Sequence, residues 1–158
     1  MKEEYADFWD LLDDADAGCI TTNGSLVRLT QGRFRGVMGR GIAQQAKKRY
    51  PDLESRLGAH IGEYGNHVGQ FHAKLVAFPV KHTWEQRADL TLIERSASEL
   101  LMLCQKKDWK RVLLPRPGCG NGGLKWENVK PLLAELLPDT VVIIEYPDVQ
   151  STAATSRT

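Results

Sequence analysis

The chain has 158 residues, a length typical of one domain and sufficient for a substantial hydrophobic core. Hydrophobic residues make up 42% of it and charged residues 26%, which is typical of globular proteins and excludes a disordered or fibrous chain. The formal net charge of +1 excludes a general attraction to nucleic acid or membranes, and no apolar run approaches the roughly 20 residues that span a bilayer.

Strand-like and helix-like segments alternate along the chain, which predicts an α/β fold. In chain order we predict a strand over 18–22, a helix over 41–50, a second helix to about residue 64 and a strand over 74–78. A helix over 90–104, a strand over 111–114, a helix over 126–136 and a strand over 141–144 follow. Pro51 should stop the first helix, Pro79 should end the second strand, and Pro131 should bend or confine the last helix.

These elements predict a single domain over residues 1–149, followed by a small, polar and disordered tail over 150–158. Parallel strands joined by helices form a sheet that is covered on both faces. Such sheets bind ligands beyond the carboxyl ends of their strands. We therefore expect the functional residues in the loops that follow strands.

The N-terminus and the cysteines favour a cytoplasmic protein. The opening segment, MKEEYADFWDLLDDADAG, is acidic and lacks the apolar core of a signal peptide. Cys19, Cys104 and Cys119 are odd in number and far apart, which is not a disulfide framework and fits a reducing compartment. No histidine has the paired cysteines of a zinc site, so we expect no metal.

A first glycine-rich loop, GVMGRGIAQQAKKRYP at 36–51, precedes a predicted helix. Gly36, Gly39 and Gly41 would let backbone amides approach an anion, and the helix N-terminus adds partial positive charge. The alternative is a flexible turn before a helix, because glycine-rich turns are common.

A second glycine-rich loop lies in RVLLPRPGCGNGGLKWENV at 111–129, where a strand runs into four glycines within six residues. A pyrophosphate lying along this loop would explain so many glycines. Gly118, Gly120 and Gly123 also match the dinucleotide-binding fingerprint. That fingerprint normally follows the first strand of a long domain, whereas this loop lies in the last third of the chain. A Rossmann dehydrogenase is therefore disfavoured.

A third loop, in LVAFPVKHTWEQRADL at 75–90, places Lys81 directly after a strand. A desolvated lysine there would serve as a nucleophile or proton carrier, whereas most lysines are solvated surface residues. Asn23, at the end of the first strand, would bind a sugar hydroxyl or form an Asn-Gly turn. The segment RLTQGRFR at 28–35 would contact a nucleic-acid backbone or form a solvated loop. Trp126 lies on the apolar side of its helix and is expected in the core.

Taken together, the three loops resemble the macrodomain family over about residues 9–146. VMGRGIAQQAKKRYP resembles the family's first glycine loop and helix, and LLPRPGCGNGGLKWENVKPLL resembles its second phosphate loop. FPVKHTW resembles the lysine strand end of one branch. That branch includes the terminal ADP-ribose protein glycohydrolases and the antitoxin macrodomain that removes ADP-ribose from thymidine in DNA. GCGNGGL and FPVKHTW are closer to the antitoxin pattern.

The resemblance implies a three-layer α/β/α macrodomain with a mixed, mostly parallel central sheet, which binds ADP-ribose without a metal or redox cofactor. It assigns Lys81 as the catalytic residue and places Asn23 at the distal ribose. Met38, Gly39, Arg40, Gly41 and Ile42 would lie along the ligand in the first loop. Gly118, Cys119, Gly120, Asn121, Gly122, Gly123 and Leu124 would do so in the second.

Two departures from the family pattern affect these assignments. The protein-directed glycohydrolases of this branch carry an aspartate in the second loop, and the matching residue here is Gly122. The early aspartate that contacts the adenine amine has two candidates, Asp10 and Asp13. The source of proton transfer in the reaction is therefore left open.

The resemblance implies an ADP-ribosyl glycohydrolase that removes ADP-ribose from modified macromolecules, with ester-linked Glu or Asp of mono-ADP-ribosylated protein as the expected substrate. Three alternatives stay open. They are a glycohydrolase acting on thymidine in DNA, an ADP-ribose reader without catalysis, and an O-acetyl-ADP-ribose deacetylase. We expect a monomer that does not associate with membranes.

Overall fold

The computed structural model describes residues 1–145, so the predicted tail at 150–158 lies outside the described residues. The strands are β1 (Lys2–Tyr5), β2 (Ala17–Asn23), β3 (Leu26–Arg28), β4 (Phe34–Gly36), β5 (Gly69–His72), β6 (Leu75–Lys81), β7 (Val112–Pro115) and β8 (Val141–Glu145). The helices are α1 (Phe8–Leu12), α2 (Gly41–Arg49), α3 (Leu53–Tyr64), α4 (Leu90–Lys107) and α5 (Trp126–Leu136). Within residues 1–145 no helix is long and apolar enough to cross a membrane.

A six-stranded sheet with the order β1-β8-β7-β2-β6-β5 forms the centre of the fold. Each neighbouring pair is parallel except β5 and β6, which are antiparallel. Strands β3 and β4 form a separate two-stranded antiparallel hairpin between β2 and α2. The predicted mixed, mostly parallel sheet is confirmed.

Two hydrophobic clusters pack on opposite faces of the sheet, because successive side chains along a strand point to opposite sides. Ile20 of β2 faces a cluster that includes residues of α1, α2 and α3. The preceding residue, Cys19, faces a cluster that includes residues of α4 and α5. Leu113 and Leu114 of β7 divide in the same way. The three-layer α/β/α arrangement is therefore confirmed.

The structure departs from the predicted elements in a few places. The predicted end of the second strand at Pro79 is wrong, since β6 continues to Lys81. Proline is tolerated there because β5 pairs with β6 only as far as Ala77, so that the end of β6 has a free edge. Helix α5 runs unbroken through Pro131, which lies on its exposed side. The sequence patterns also missed α1, the short edge strands β1 and β5, and the hairpin.

Candidate functional site

The carboxyl ends of β2, β6, β7 and β8 meet at a cleft of about 820 Å³. This is the edge at which parallel sheets bind ligands. The cleft brings together residues from the three predicted loops. Those that line it are Asn23, Gly39, Arg40, Gly41, Ile42, Lys81, Gly118, Cys119, Gly120, Asn121, Gly122 and Leu124.

The first glycine loop places the N-terminus of α2 at the cleft. Helix α2 begins at Gly41, and no side chain caps its N-terminus. The first backbone N–H groups of the helix therefore lack intrahelical partners and are available to an anion. Gly41 has a φ of +56°, a left-handed conformation that favours glycine. At Gly39, by contrast, a Cβ atom would meet nothing within 4 Å.

The second glycine loop is closed by its own hydrogen bonds. Leu124 N donates to Gly118 O at 2.9 Å, and Gly123 N donates to Gly120 O at 3.2 Å. The Asn121 side chain reaches the first loop, because its Nδ2 atom would lie 3.5 Å from a Cβ atom at Gly41. The two loops thus form opposite walls of one narrow part of the cleft, where a diphosphate would contact backbone amides of both.

Gly122 is required by the packing of the loop itself. A Cβ atom at Gly122 would lie 2.5 Å from the carbonyl oxygen of Gly118 and 2.8 Å from the Cβ of Ala88. Its own carbonyl accepts a hydrogen bond from Ala88 N at 2.9 Å. A side chain at Gly122 would therefore disrupt the loop before it reached a ligand, whereas a Cβ atom at Gly39 or Gly120 meets nothing within 4 Å.

We predict that Gly122→Ala lowers the melting temperature and the ADP-ribose affinity together. The added methyl group displaces the Gly118 carbonyl or Ala88, and overpacking of this kind costs about 1–3 kcal/mol of folding free energy. Differential scanning fluorimetry with and without ADP-ribose measures both quantities. An unchanged melting temperature would contradict the packing assignment.

Lys81 lies at the carboxyl end of β6 and is only 9% exposed as a residue. It lines the cleft, so the alternative of a solvated surface lysine does not hold. Burial and the nearby Arg40 guanidinium lower the pKa of Lys81 below its ordinary value. The next residue, His82, pairs with Asp89 at 2.8 Å and does not line the cleft.

Asn23 stands beside Lys81, because the two residues are partners in the β2–β6 register. Its Nδ2 donates to the carbonyl of Val37 at 3.0 Å, and its Oδ1 accepts from Ser25 N at 3.0 Å. The side chain therefore forms the predicted turn and also ties β2 to the first glycine loop. One N–H and one lone pair remain for a ligand in the cleft.

The structure places several predicted site residues away from the ligand space. Met38 is 1% exposed and packs in the core, while its N–H donates to the Glu54 carboxylate at 2.9 Å. Gly123 is absent from the cleft lining and has a φ of +80°, which makes it a turn residue. Neither Asp10 nor Asp13 lines the cleft.

Other residues line the cleft that the sequence did not assign to the site. Trp84 lines the cleft and is 44% exposed. Trp126, expected in the core, packs at the core edge and also lines the cleft. The Arg116 guanidinium lies 4.9 Å from the Trp126 ring centroid and 2.8 Å from Glu145. Both tryptophans were visible in the sequence, but the direction of their side chains was not.

Comparison with known proteins agrees with this geometry. The family model described as Macro domain matches residues 34–133. A Mycobacterium tuberculosis protein named DNA ADP-ribosyl glycohydrolase is 33% identical over 127 residues, which cover 71% of this chain and 35% of that protein. This chain thus spans about a third of the length of the curated relatives it matches.

Two solved structures share the fold. The macrodomain of Mycobacterium tuberculosis DarG has a TM-score of 0.70 and 29% identity, and the match covers 92% of this chain and 98% of that one. Thermosipho africanus DarTG, solved in complex with ADP-ribose, has a TM-score of 0.66 and 22% identity. That match covers 86% of this chain and 40% of the other.

Proposed function

This chain belongs to the Macro domain family, and on that premise we propose that it binds ADP-ribose and hydrolyses its bond to a modified macromolecule. The observation that carries the proposal is the position of Lys81, a buried amine beside Asn23 in the same cleft as the two glycine loops. A reader of ADP-ribose needs only the loops, whereas a buried lysine with a lowered pKa is a feature of catalytic sites.

In this reaction the unprotonated amine of Lys81 attacks the anomeric carbon of the distal ribose. The bond from that carbon to the modified group breaks, and its electron pair leaves with the group. Water then attacks the same carbon and the carbon–nitrogen bond to Lys81 breaks. One proton of the water passes to the departed group, which leaves free ADP-ribose and the unprotonated amine of Lys81. If Lys81 instead removes a proton from the attacking water, it also needs to be unprotonated.

DNA is the first candidate for the modified macromolecule. The Mycobacterium tuberculosis relative is named DNA ADP-ribosyl glycohydrolase. In this chain, the β3–β4 hairpin begins just after Asn23 and carries the exposed Arg28, while Arg33 lies exposed at its turn. Among residues 1–145 neither arginine has a carboxylate within ion-pair distance, so both charges are available to phosphates. Ser25, at the base of the hairpin, accepts a hydrogen bond from the backbone of Trp84.

Ester-linked protein is the second candidate, because no carboxylate of the described cleft lining is placed beside Lys81 to donate a proton. Glu127 and Glu145 are the carboxylates among the described lining residues. Glu145 ends β8, which is three strands away from β6, or about 14 Å at the usual strand spacing. A carboxylate leaving group departs without a proton, whereas a base of DNA is a poorer leaving group that benefits from one.

Purified protein should be mixed separately with thymidine-linked ADP-ribose on single-stranded DNA and with ester-linked ADP-ribose on protein. Release of ADP-ribose, followed by mass spectrometry, identifies the substrate class. O-acetyl-ADP-ribose is the third arm. Binding of ADP-ribose with release from no substrate would replace the hydrolase with a reader, and turnover of the third arm alone would indicate a deacetylase.

The pH dependence of hydrolysis is predicted to follow Lys81. Because a protonated amine cannot attack, the rate should rise with pH and level off above a pKa that lies below the ordinary lysine value. In Arg40→Gln the loss of the positive charge raises the pKa of Lys81, so the rising limb of the profile should move to higher pH. Single-turnover rates at saturating enzyme measure this limb. Arg40→Lys keeps the charge and should leave the limb in place, and a profile without a rising limb would contradict the mechanism.

A further inference from the structure

We propose that Asn66 is a positioning residue for Lys81, which fixes the ends of β2 and β6 in the arrangement that catalysis needs. This inference rests on the proposed hydrolase function. Asn66 lies in the connection between α3 and β5, outside the three loops that the sequence singled out. It does not line the cleft, so it acts only through other residues.

The side chain of Asn66 contacts the strand end directly. Its Nδ2 donates a hydrogen bond to the backbone carbonyl of Lys81 at 3.0 Å. Its Oδ1 is buried without a hydrogen-bond partner among the described residues. The opposite orientation of the amide would bring two carbonyl oxygens together, so the donor must face Lys81. A buried acceptor left without a partner is uncommon and calls for a reason, which the bond to Lys81 supplies.

The same amide packs against the turn that follows β2. A Cβ atom at Gly24 would lie 2.9 Å from the Asn66 amide and 2.8 Å from the carbonyl oxygen of His82. Gly24 N donates to that carbonyl at 3.2 Å. The Asn66 side chain therefore contacts both the turn after Asn23 and the end of β6. We infer that it sets the spacing of Asn23 and Lys81.

Asn66 is itself held by helix α4. Arg95 donates from Nη2 to the backbone carbonyl of Asn66, and it lies 3.9 Å from the Glu99 carboxylate. Glu99 also accepts from Val68 N at 3.0 Å and lies 2.6 Å from Nδ1 of His67. Arg95 and Glu99 of α4 thus hold the segment from Asn66 to Val68 through its backbone and through His67. A rigid support of this kind keeps a reacting group within the narrow range of geometry that catalysis requires.

The test compares Asn66→Ala and Asn66→Asp with the matched control Asn128→Ala, which removes an exposed amide on α5. We expect both Asn66 variants to lower the single-turnover rate by about tenfold or more, since small misplacements at a reacting centre have effects of this size. ADP-ribose affinity, measured by calorimetry, should change less than about threefold, because Asn66 does not line the cleft.

A second readout does not depend on hydrolysis. The pH profile of Lys81 acylation by an amine-reactive ester, followed by peptide mass spectrometry, gives the titration midpoint of this lysine in each variant. The substitutions leave in place Arg40, which acts on Lys81, the adjoining His82–Asp89 pair, and the Arg95–Glu99–His67 cluster that holds the Asn66 segment. Loosening of the strand end in Asn66→Ala, or the added carboxylate in Asn66→Asp, should move the midpoint upward.

The proposal stands if the rate falls at constant affinity and the midpoint rises in both Asn66 variants but not in Asn128→Ala. It is overturned if the midpoint stays at the wild-type value, or if rate, affinity and melting temperature fall together as in general destabilisation. If the wild-type protein hydrolyses no substrate, the proposed function fails, while the acylation profile still decides whether Asn66 positions Lys81.

Discussion

Replacing Lys81 with alanine is expected to reduce hydrolysis by at least about 100-fold, the size of effect associated with loss of a catalytic proton carrier or nucleophile. The reason is that Lys81 is the only buried lysine among the described residues that line the cleft. ADP-ribose binding should persist, because the glycine loops, which we propose hold the diphosphate, do not depend on the lysine side chain.

Lys81→Arg separates the positive charge of the side chain from its ability to lose a proton. Arginine keeps the positive charge but does not lose its proton at accessible pH, so the variant should be as inactive as Lys81→Ala. Lys106→Ala, which removes an exposed lysine in the last turn of α4, is the matched control and should hydrolyse at the wild-type rate. Single-turnover rates at equal ligand occupancy make the comparison. Wild-type hydrolysis by Lys81→Ala would refute the lysine mechanism.

Gly120→Glu is expected to weaken ADP-ribose binding by at least about 100-fold, which corresponds to about 2.8 kcal/mol. Gly120 lines the cleft, and a Cβ atom there meets nothing within 4 Å, so a glutamate side chain has room to reach the ligand space. Its carboxylate then occupies the space of the diphosphate and repels it. Because φ at this position is not in the left-handed region, the backbone accepts a side chain without strain.

The matched control is Gly62→Glu, which adds the same charge on the exposed surface of α3. A Cβ atom at Gly62 also meets nothing within 4 Å, so both substitutions add the same side chain without a clash, one in a helix and one in a loop. Both variants should melt within about 2 °C of the wild type, because surface substitutions change the folding free energy by about 0.5 kcal/mol or less. Calorimetry should show lost binding in the first variant alone. Wild-type affinity in a folded Gly120→Glu protein would place the ligand elsewhere.

The contrast between Gly120 and Gly122 illustrates why these experiments need the structure. Both glycines belong to one loop and are two residues apart, yet a side chain at the first meets open space and at the second meets the loop backbone. A substitution at Gly122 therefore tests folding of the loop, whereas a substitution at Gly120 tests occupancy of the cleft.

The sequence by itself determined the class of fold and the loops that carry the site. The helical spacing from Leu90 to Cys104 and the apolar run over 141–144 indicate buried regular elements. Such elements can be predicted because the order of apolar residues within each segment shows which face is buried. The glycine clusters were likewise visible, because a chain that takes left-handed turns at Gly118 and Gly123 needs glycine there. Those local signals were sufficient to place Lys81 at a strand end.

Only the tertiary structure decided which side chains face the ligand space. Met38 and Gly39 are neighbours, but one packs in the core and the other borders the cleft, because loop direction depends on long-range contacts such as Met38 with Glu54. The lowering of the Lys81 pKa arises from burial and from Arg40, which is 41 residues away in sequence by the difference of their numbers. Asn66 reaches Lys81 only because α3, β5 and β6 fold together. Such contacts join distant segments, and no local pattern of residues encodes them.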